Sequence, residues 1–81
     1  MDKYEAFIKQ YISGKKGLDP NVISSDANMF EKHYIDSLGV FNMLMEVENE
    51  FGVRFDEQDM MDKKMTTIRG TAEIIAAKRA Q

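Results

Sequence analysis

Apolar residues recur at helical spacing in three places, separated by stretches whose polar and turn-forming residues break the period. The first set is Tyr4, Phe7, Ile8, Tyr11 and Ile12, spaced i, i+3, i+4, i+7 and i+8, the stripe of an amphipathic helix. Asp2 ahead of it, with Glu5 three residues later, predicts a capping box. Ser13-Gly14 predicts its end, and Lys15 and Lys16 lie where positive charge favours the negative end of the helix dipole. The second set is Val40, Met43, Leu44, Val47 and Phe51. The polar pair Asp36 and Ser37 stands just before it, where side-chain oxygens can accept the unpaired N–H groups of a first turn. Gly52 closes it, and Val53 and Phe55 follow in a non-helical alternation, so a helix is predicted from about Ser37 to Phe51. The third set, Ile68, Thr71, Ala72, Ile75 and Ala76, predicts a last helix entered at Thr66-Thr67, with Lys78 and Arg79 at its C-terminal end. Gly70 is a poor helix former in its first turn.

Between the first two sets no period is sustained from Gly14 to Ile35. A loop that long has to be pinned or functional, and Leu18, Val22, Ile23, Met29, Phe30 and Ile35 are the expected pins. Met29 to Lys32 has the length of one helical turn. After Gly52, the run Asp56 to Asp62 reads as a short acidic helix, with Met60, Met61 and Met65 as pliable apolar contacts. The prediction is an all-α fold: three longer helices, one short helix, a long first loop and no internal repeat, with residues 1–81 forming one domain.

The middle helix carries a second apolar stripe. Leu38, Phe41 and Met45, at i, i+3 and i+7, lie between the core face and a polar wedge of Gly39, Asn42, Glu46, Asn49 and Glu50, with Glu48 beside them. Two readings stand. A central helix in a small bundle is covered on both sides by neighbours; alternatively, the stripe is a docking surface rimmed by acids next to Ser37.

Composition narrows the chemistry. A chain of 81 residues has room for one modest core and little for a catalytic cavity, so it is not expected to be an enzyme. No cysteine is present, which fits a reducing compartment and excludes thiolate metal sites. The charged N-terminus and short apolar runs resemble neither a signal peptide nor a membrane span, so a cytoplasmic protein is expected. The acids between Asp56 and Asp62 lack the order of ligands, glycine and terminal glutamate of a calcium loop, and no metal is expected. His33, Asp36 and Ser37 are the residue types of a catalytic triad, but three such residues crowded at one loop end do not make its geometry. Net charge is −3, which disfavours nucleic acid. The segment from Asp36 to Asp62 holds eight acids and one base, a net −7, against +4 for the rest. Such a field either marks solvated helix faces or steers basic partner surfaces towards the serine.

Taken together, Asp36-Ser37-Leu38 heading an acidic helix, the run Met45 to Val53, the acidic Asp56 to Asp62 segment and the Thr66-Thr67-Ile68 entry to the last helix resemble an acyl carrier protein. The resemblance spans nearly the whole chain and is strongest from Met29 to Ile75. It implies a four-helix, non-catalytic, phosphopantetheine-binding carrier, a monomer. Ser37 would take 4′-phosphopantetheine from coenzyme A through a phosphopantetheinyl transferase, with Asp36 beside it. The arm's thiol would hold an acyl or aminoacyl group as a thioester, loaded by a ligase or acyltransferase and passed to a downstream synthase or transferase, as in fatty acid or polyketide biosynthesis. The resemblance makes Leu38, Phe41 and Met45 the apolar recognition stripe, and Glu46, Glu48, Asp56 and Glu57 the acids met by basic partner residues. Many fatty-acid carriers have Leu-Gly two residues before the Asp-Ser pair, an acid after the Leu and another where Asn42 stands. Here His33-Tyr34, Gly39 and Asn42 occupy those places, and Met29-Phe30-Glu31 with Ile35 to Gly39 is more similar to discrete carriers of specialised pathways, including D-alanyl carrier proteins. The alternative outside this family is an unmodified acidic adaptor that binds a partner through the same stripe, with Ser37 as a mere cap.

Overall fold

The computed structural model describes residues 2–80; the expected domain span of 1–81 also takes in Met1 and Gln81, which lie outside the described residues. Helix α1 is Lys3–Lys16, α2 is Ser37–Phe51, α3 is Glu57–Met61 and α4 is Ile68–Arg79. Single 3₁₀ turns occupy Pro20–Val22 and Lys63–Thr66. The β-type pairing among the described residues is one isolated antiparallel bridge, Asn28 with Thr67.

The three long helices bury the stripes that their spacing marks. Ile8 and Ile12 of α1, Val40, Met43, Leu44 and Val47 of α2, and Ile68, Ala72 and Ile75 of α4 form the core with Ile23, Met29, Ile35, Val53 and Met65. Each large aliphatic side chain so buried contributes about 1.5–3 kcal/mol. Phe51, only half-buried, closes one end of the core through edge-on contacts with Tyr4 and Phe7 at ring distances of 4.9 and 5.3 Å.

Helix α1 runs one turn beyond the expected stop at Ser13-Gly14. Gly14 has open space around it, and Gly17, at φ 71°, is the left-handed residue that ends the helix, its N–H donating to the Ser13 carbonyl at 2.8 Å. The capping box at the other end is half made. Asp2 accepts from the Tyr4 and Glu5 N–H groups, but the Glu5 carboxylate turns away to accept from the buried Ser25 hydroxyl at 2.6 Å. In α4, Thr67 is the N-cap, and Ala76 faces solvent rather than the core.

That Glu5 contact is one of several that fasten the long loop. The Ser25 carbonyl accepts from the Arg69 N–H at 2.9 Å, the Arg69 guanidinium pairs with Asp26, and the Met29 N–H donates to the Thr66 carbonyl at 2.8 Å. Backbone groups in a segment without regular structure are thus satisfied by α4 and the turn before it, and a loop hydroxyl by α1. Ile23, Met29 and Ile35 pin the loop as expected, whereas Leu18 and Val22 are exposed.

Helix α3 buries no residue. Asp56 and Asp59 cap it reciprocally at 2.8 and 2.9 Å, and the Lys78 ammonium of α4 reaches the Asp59 carboxylate at 2.6 Å. Among the methionines near it, Met65 enters the core, Met60 is half-buried and Met61 is 84% exposed.

Candidate functional site: an exposed serine at the head of α2

The chain reaches α2 through a tightly bonded corner. The Asn28 side chain accepts from the Phe30 and Glu31 N–H groups at 2.9 and 3.1 Å, making the turn expected at Met29 to Lys32. His33 then takes a left-handed conformation, φ 59°, which few residues other than glycine adopt. Beyond it the Tyr34 and Ile35 N–H groups both donate to the Met29 carbonyl, at 2.9 and 3.4 Å. The Tyr34 hydroxyl accepts from the Ser24 N–H at 3.2 Å, and the Ile35 side chain is buried. Both sides of the corner are therefore fixed before Asp36.

Asp36 is extended and caps α2: its Oδ1 accepts from the Gly39 N–H at 2.6 Å and its carbonyl from the Val40 N–H at 2.9 Å. Ser37 is the first residue of the helix, and it is exposed. With Asp36 committed to the cap, no triad is assembled from His33, Asp36 and Ser37. Gly39 matters for a reason its sequence position does not show. A β-carbon there would lie 3.0 Å from Asp36 Oδ1 and 3.1 Å from Ile35 Cγ1, so glycine lets the capping residue and its buried neighbour close on the helix.

The second stripe of α2 is uncovered. Leu38 is 78% exposed, Phe41 55% and Met45 55%, so no neighbouring helix claims it. Apolar side chains of that size facing water in a row mark an interaction surface more than a core face. Phe41 and Met45 form one wall of a groove of about 530 Å³ between α2 and α3, with Phe55 and Met60 opposite and Glu48, Asp56 and Glu57 at the rim. Glu46, Asp56 and Glu57 are exposed. Glu48 is half-buried, and its Oε2 accepts from the Phe55 N–H at 2.8 Å, tying α2 to the segment that leads into α3. Sequence reading missed that bond, as it missed the Lys78 to Asp59 pair: both join residues whose separation in the chain carries no periodic signal.

An exposed serine on the first turn of a helix suits a phosphodiester: the neighbouring N–H groups and the positive end of the helix dipole favour its charge. These features define a small helical carrier, a protein that holds a group outward instead of enclosing it. The family model for the phosphopantetheine attachment site matches residues 6–75 of this chain. An acyl carrier protein of Thermotoga maritima is 31% identical over 71 residues, which cover 88% of this chain and 85% of that protein. One from Rickettsia bellii is 31% identical over 75 residues, covering 93% and 81%. Another, from Rickettsia canadensis, is 27% identical over 74 residues, covering 91% and 80%. The chain belongs to the phosphopantetheine-binding acyl carrier protein family. It is a non-catalytic carrier whose prosthetic group is covalent 4′-phosphopantetheine, and membership decides against the unmodified adaptor. Carriers of this kind work with phosphopantetheinyl transferases and with synthases or acyltransferases. Among the described residues, no helix is long and apolar enough to cross a membrane.

Proposed function

We propose that the whole chain acts as a single, monomeric, cytoplasmic carrier unit, with Ser37 as the attachment point of the prosthetic arm. One observation carries this reading: Ser37 is an exposed residue on the first turn of α2, at the head of an uncovered apolar stripe. When attached, the arm supplies a thiol that holds an acyl or aminoacyl group as a thioester. The chain's own residues do the rest. Asp36 holds the first turn in place beneath the serine, so that a modifying enzyme meets a preformed surface. Leu38, Phe41 and Met45 offer apolar contacts to that enzyme, to a loading ligase or acyltransferase, and to the synthase or transferase that takes the group on. Glu46, Glu48, Asp56 and Glu57 surround them with negative charge that draws the basic faces of such partners. Of these acids Glu48 and Asp56 each have one oxygen engaged by a backbone N–H, of Phe55 and of Asp59, so Glu46 and Glu57 carry more of the steering. Gly39 and Asn42, where many fatty-acid carriers have acids, favour service in a specialised pathway with an acyl or aminoacyl cargo of its own.

The test is intact mass after incubation with coenzyme A and a broad-specificity phosphopantetheinyl transferase. The expected result is a gain of one phosphopantetheine by the wild-type chain and none by Ser37→Ala. A gain that persists in Ser37→Ala overturns the assignment.

A further inference from the structure

With no cysteine, the chain without its arm carries all of its sulfur in seven methionines, and the fold divides those it describes sharply. Met29 and Met43 are fully buried and Met65 is nearly so, Met60 is half-buried, and Met45 and Met61 face solvent. We infer that Met45 is a site of reversible oxidation, a thioether whose conversion to the sulfoxide by a neutral peroxide weakens docking on the α2 stripe; the inference rests on that stripe being the partner-recognition surface.

Three observations carry it. The first is access. Oxygen transfer needs the oxidant to reach sulfur, so reactivity follows exposure, and burial protects Met29, Met43 and Met65. Oxidation at the surface therefore leaves the core as it is. The second is position. Met61, the more exposed of the two, ends α3 and does not line the groove. Met45 stands in the stripe with Leu38 and Phe41, and it lines the groove together with Phe55 and Met60. A sulfoxide there turns a pliable apolar side chain into a polar hydrogen-bond acceptor, on a surface that partners meet with apolar groups. The ionised Glu48, Asp56 and Glu57 around it accept hydrogen bonds and donate none to the new oxygen. The third is charge. That rim repels anionic oxidants and does not oppose neutral ones, which makes hydrogen peroxide and neutral organic hydroperoxides the fitting class. In the step, a sulfur lone pair attacks one peroxide oxygen and the S–O bond forms as the O–O bond breaks. Sulfur is oxidised, the peroxide is reduced, and after a proton shift the second oxygen leaves as water. Two thiols of a methionine sulfoxide reductase restore the thioether, becoming a disulfide and releasing the oxygen as water.

The apo chain is treated with hydrogen peroxide, freed of it with catalase and mapped by tryptic mass spectrometry. Its uptake of phosphopantetheine from coenzyme A, catalysed by a phosphopantetheinyl transferase, is then measured, each preparation against its own untreated form. One oxygen is expected on the peptide from Phe55 to Lys63, at Met61, and one on that from His33 to Arg54, at Met45. Met29, Met43 and Met65 should stay unmodified, and amide exchange in α1, α2 and α4 should not change. On oxidation kcat/KM should fall about tenfold in the wild type and in Met61→Leu, the cost of covering an unsatisfied acceptor. In Met45→Leu oxidation should change nothing, and sulfoxide reductase should restore the oxidised wild type. Buried methionines oxidised as fast as Met45, or an equal loss in Met45→Leu, overturn the inference. So does a fully oxidised Met45 that leaves kcat/KM unchanged. If Phe41→Ala nevertheless slows uptake, the stripe remains the docking surface; if it does not, that reading falls as well.

Discussion

Asp36 places the serine by what it does for the backbone. Its carboxylate satisfies one donor of the first turn of α2, the turn on which Ser37 is exposed. Asp36→Ala should therefore lower stability by about 1 kcal/mol, seen as a lower thermal midpoint, while Asp36→Asn, an equally good cap, should leave it nearly unchanged. This residue was legible in the sequence, because a cap lies next to the helix it serves. Gly70 was not. By propensity it is a weak helix former that alanine should improve by about 1 kcal/mol. In the structure a β-carbon there would lie 2.1 Å from the Lys64 carbonyl, in the turn that leads into α4. Gly70→Ala should thus destabilise the fold, by about 1–3 kcal/mol, in denaturant unfolding. A close approach of this kind is a property of two segments together, and no local pattern records it.

At the scale of elements, α1, α2 and α4 each bury a stripe, and α3 buries nothing. That is why periodicity marked the first three and only composition hinted at the fourth. The end of α1 was misplaced because Ser13-Gly14 carries a stop signal that the actual terminator, Gly17, overrides with its left-handed backbone. Helix α3 depends on polar ties, chiefly the Lys78 to Asp59 pair, with the Lys78 ammonium also 5.8 Å from the centre of the Phe55 ring. Lys78→Met should speed amide exchange in α3 and leave the protection of α2 almost untouched, because local opening follows local contacts. Burial pushes the Asp59 carboxyl up, but hydrogen bonds from Lys78 and from the Asp56 N–H, with the Lys78 charge, outweigh it and hold Asp59 below the usual carboxylate range. Its folded value is depressed, so the stabilisation is present above the ordinary carboxylate range and is lost as pH falls through the lowered value. Protection of the α3 amides relative to their intrinsic exchange rate should accordingly fall under acid before the core helices open, and this early step should be absent from Asp59→Asn, which has no carboxyl there to titrate.

For the molecule as a whole, the acidic segment from Asp36 to Asp62 contains both the serine and the uncovered stripe, and the net +4 lies outside that segment. Association with a phosphopantetheinyl transferase should weaken as salt rises, through a slower on-rate more than a faster off-rate, and Glu57→Lys should slow it further. Phe41→Ala should act instead on the off-rate, with little change in salt dependence, because its contribution is apolar contact. Whether the stripe was core or surface could not be read from spacing, since both uses need the same period. Only the position of α3, set off from Phe41 and Met45 by an open groove, and the exposure of Leu38 beside them decide it. The chain has other serines at Ser13, Ser24 and Ser25, and location is what separates a tether from a chance acceptor. Trypsin cleavage after Lys32 and Arg54 isolates the peptide from His33 to Arg54, in which Ser37 is the sole serine. Fragmentation mass spectrometry of the modified chain should find the whole phosphopantetheine adduct on that peptide, at Ser37; an adduct on the peptide bearing Ser24 and Ser25, with His33 to Arg54 unmodified, would contradict the account.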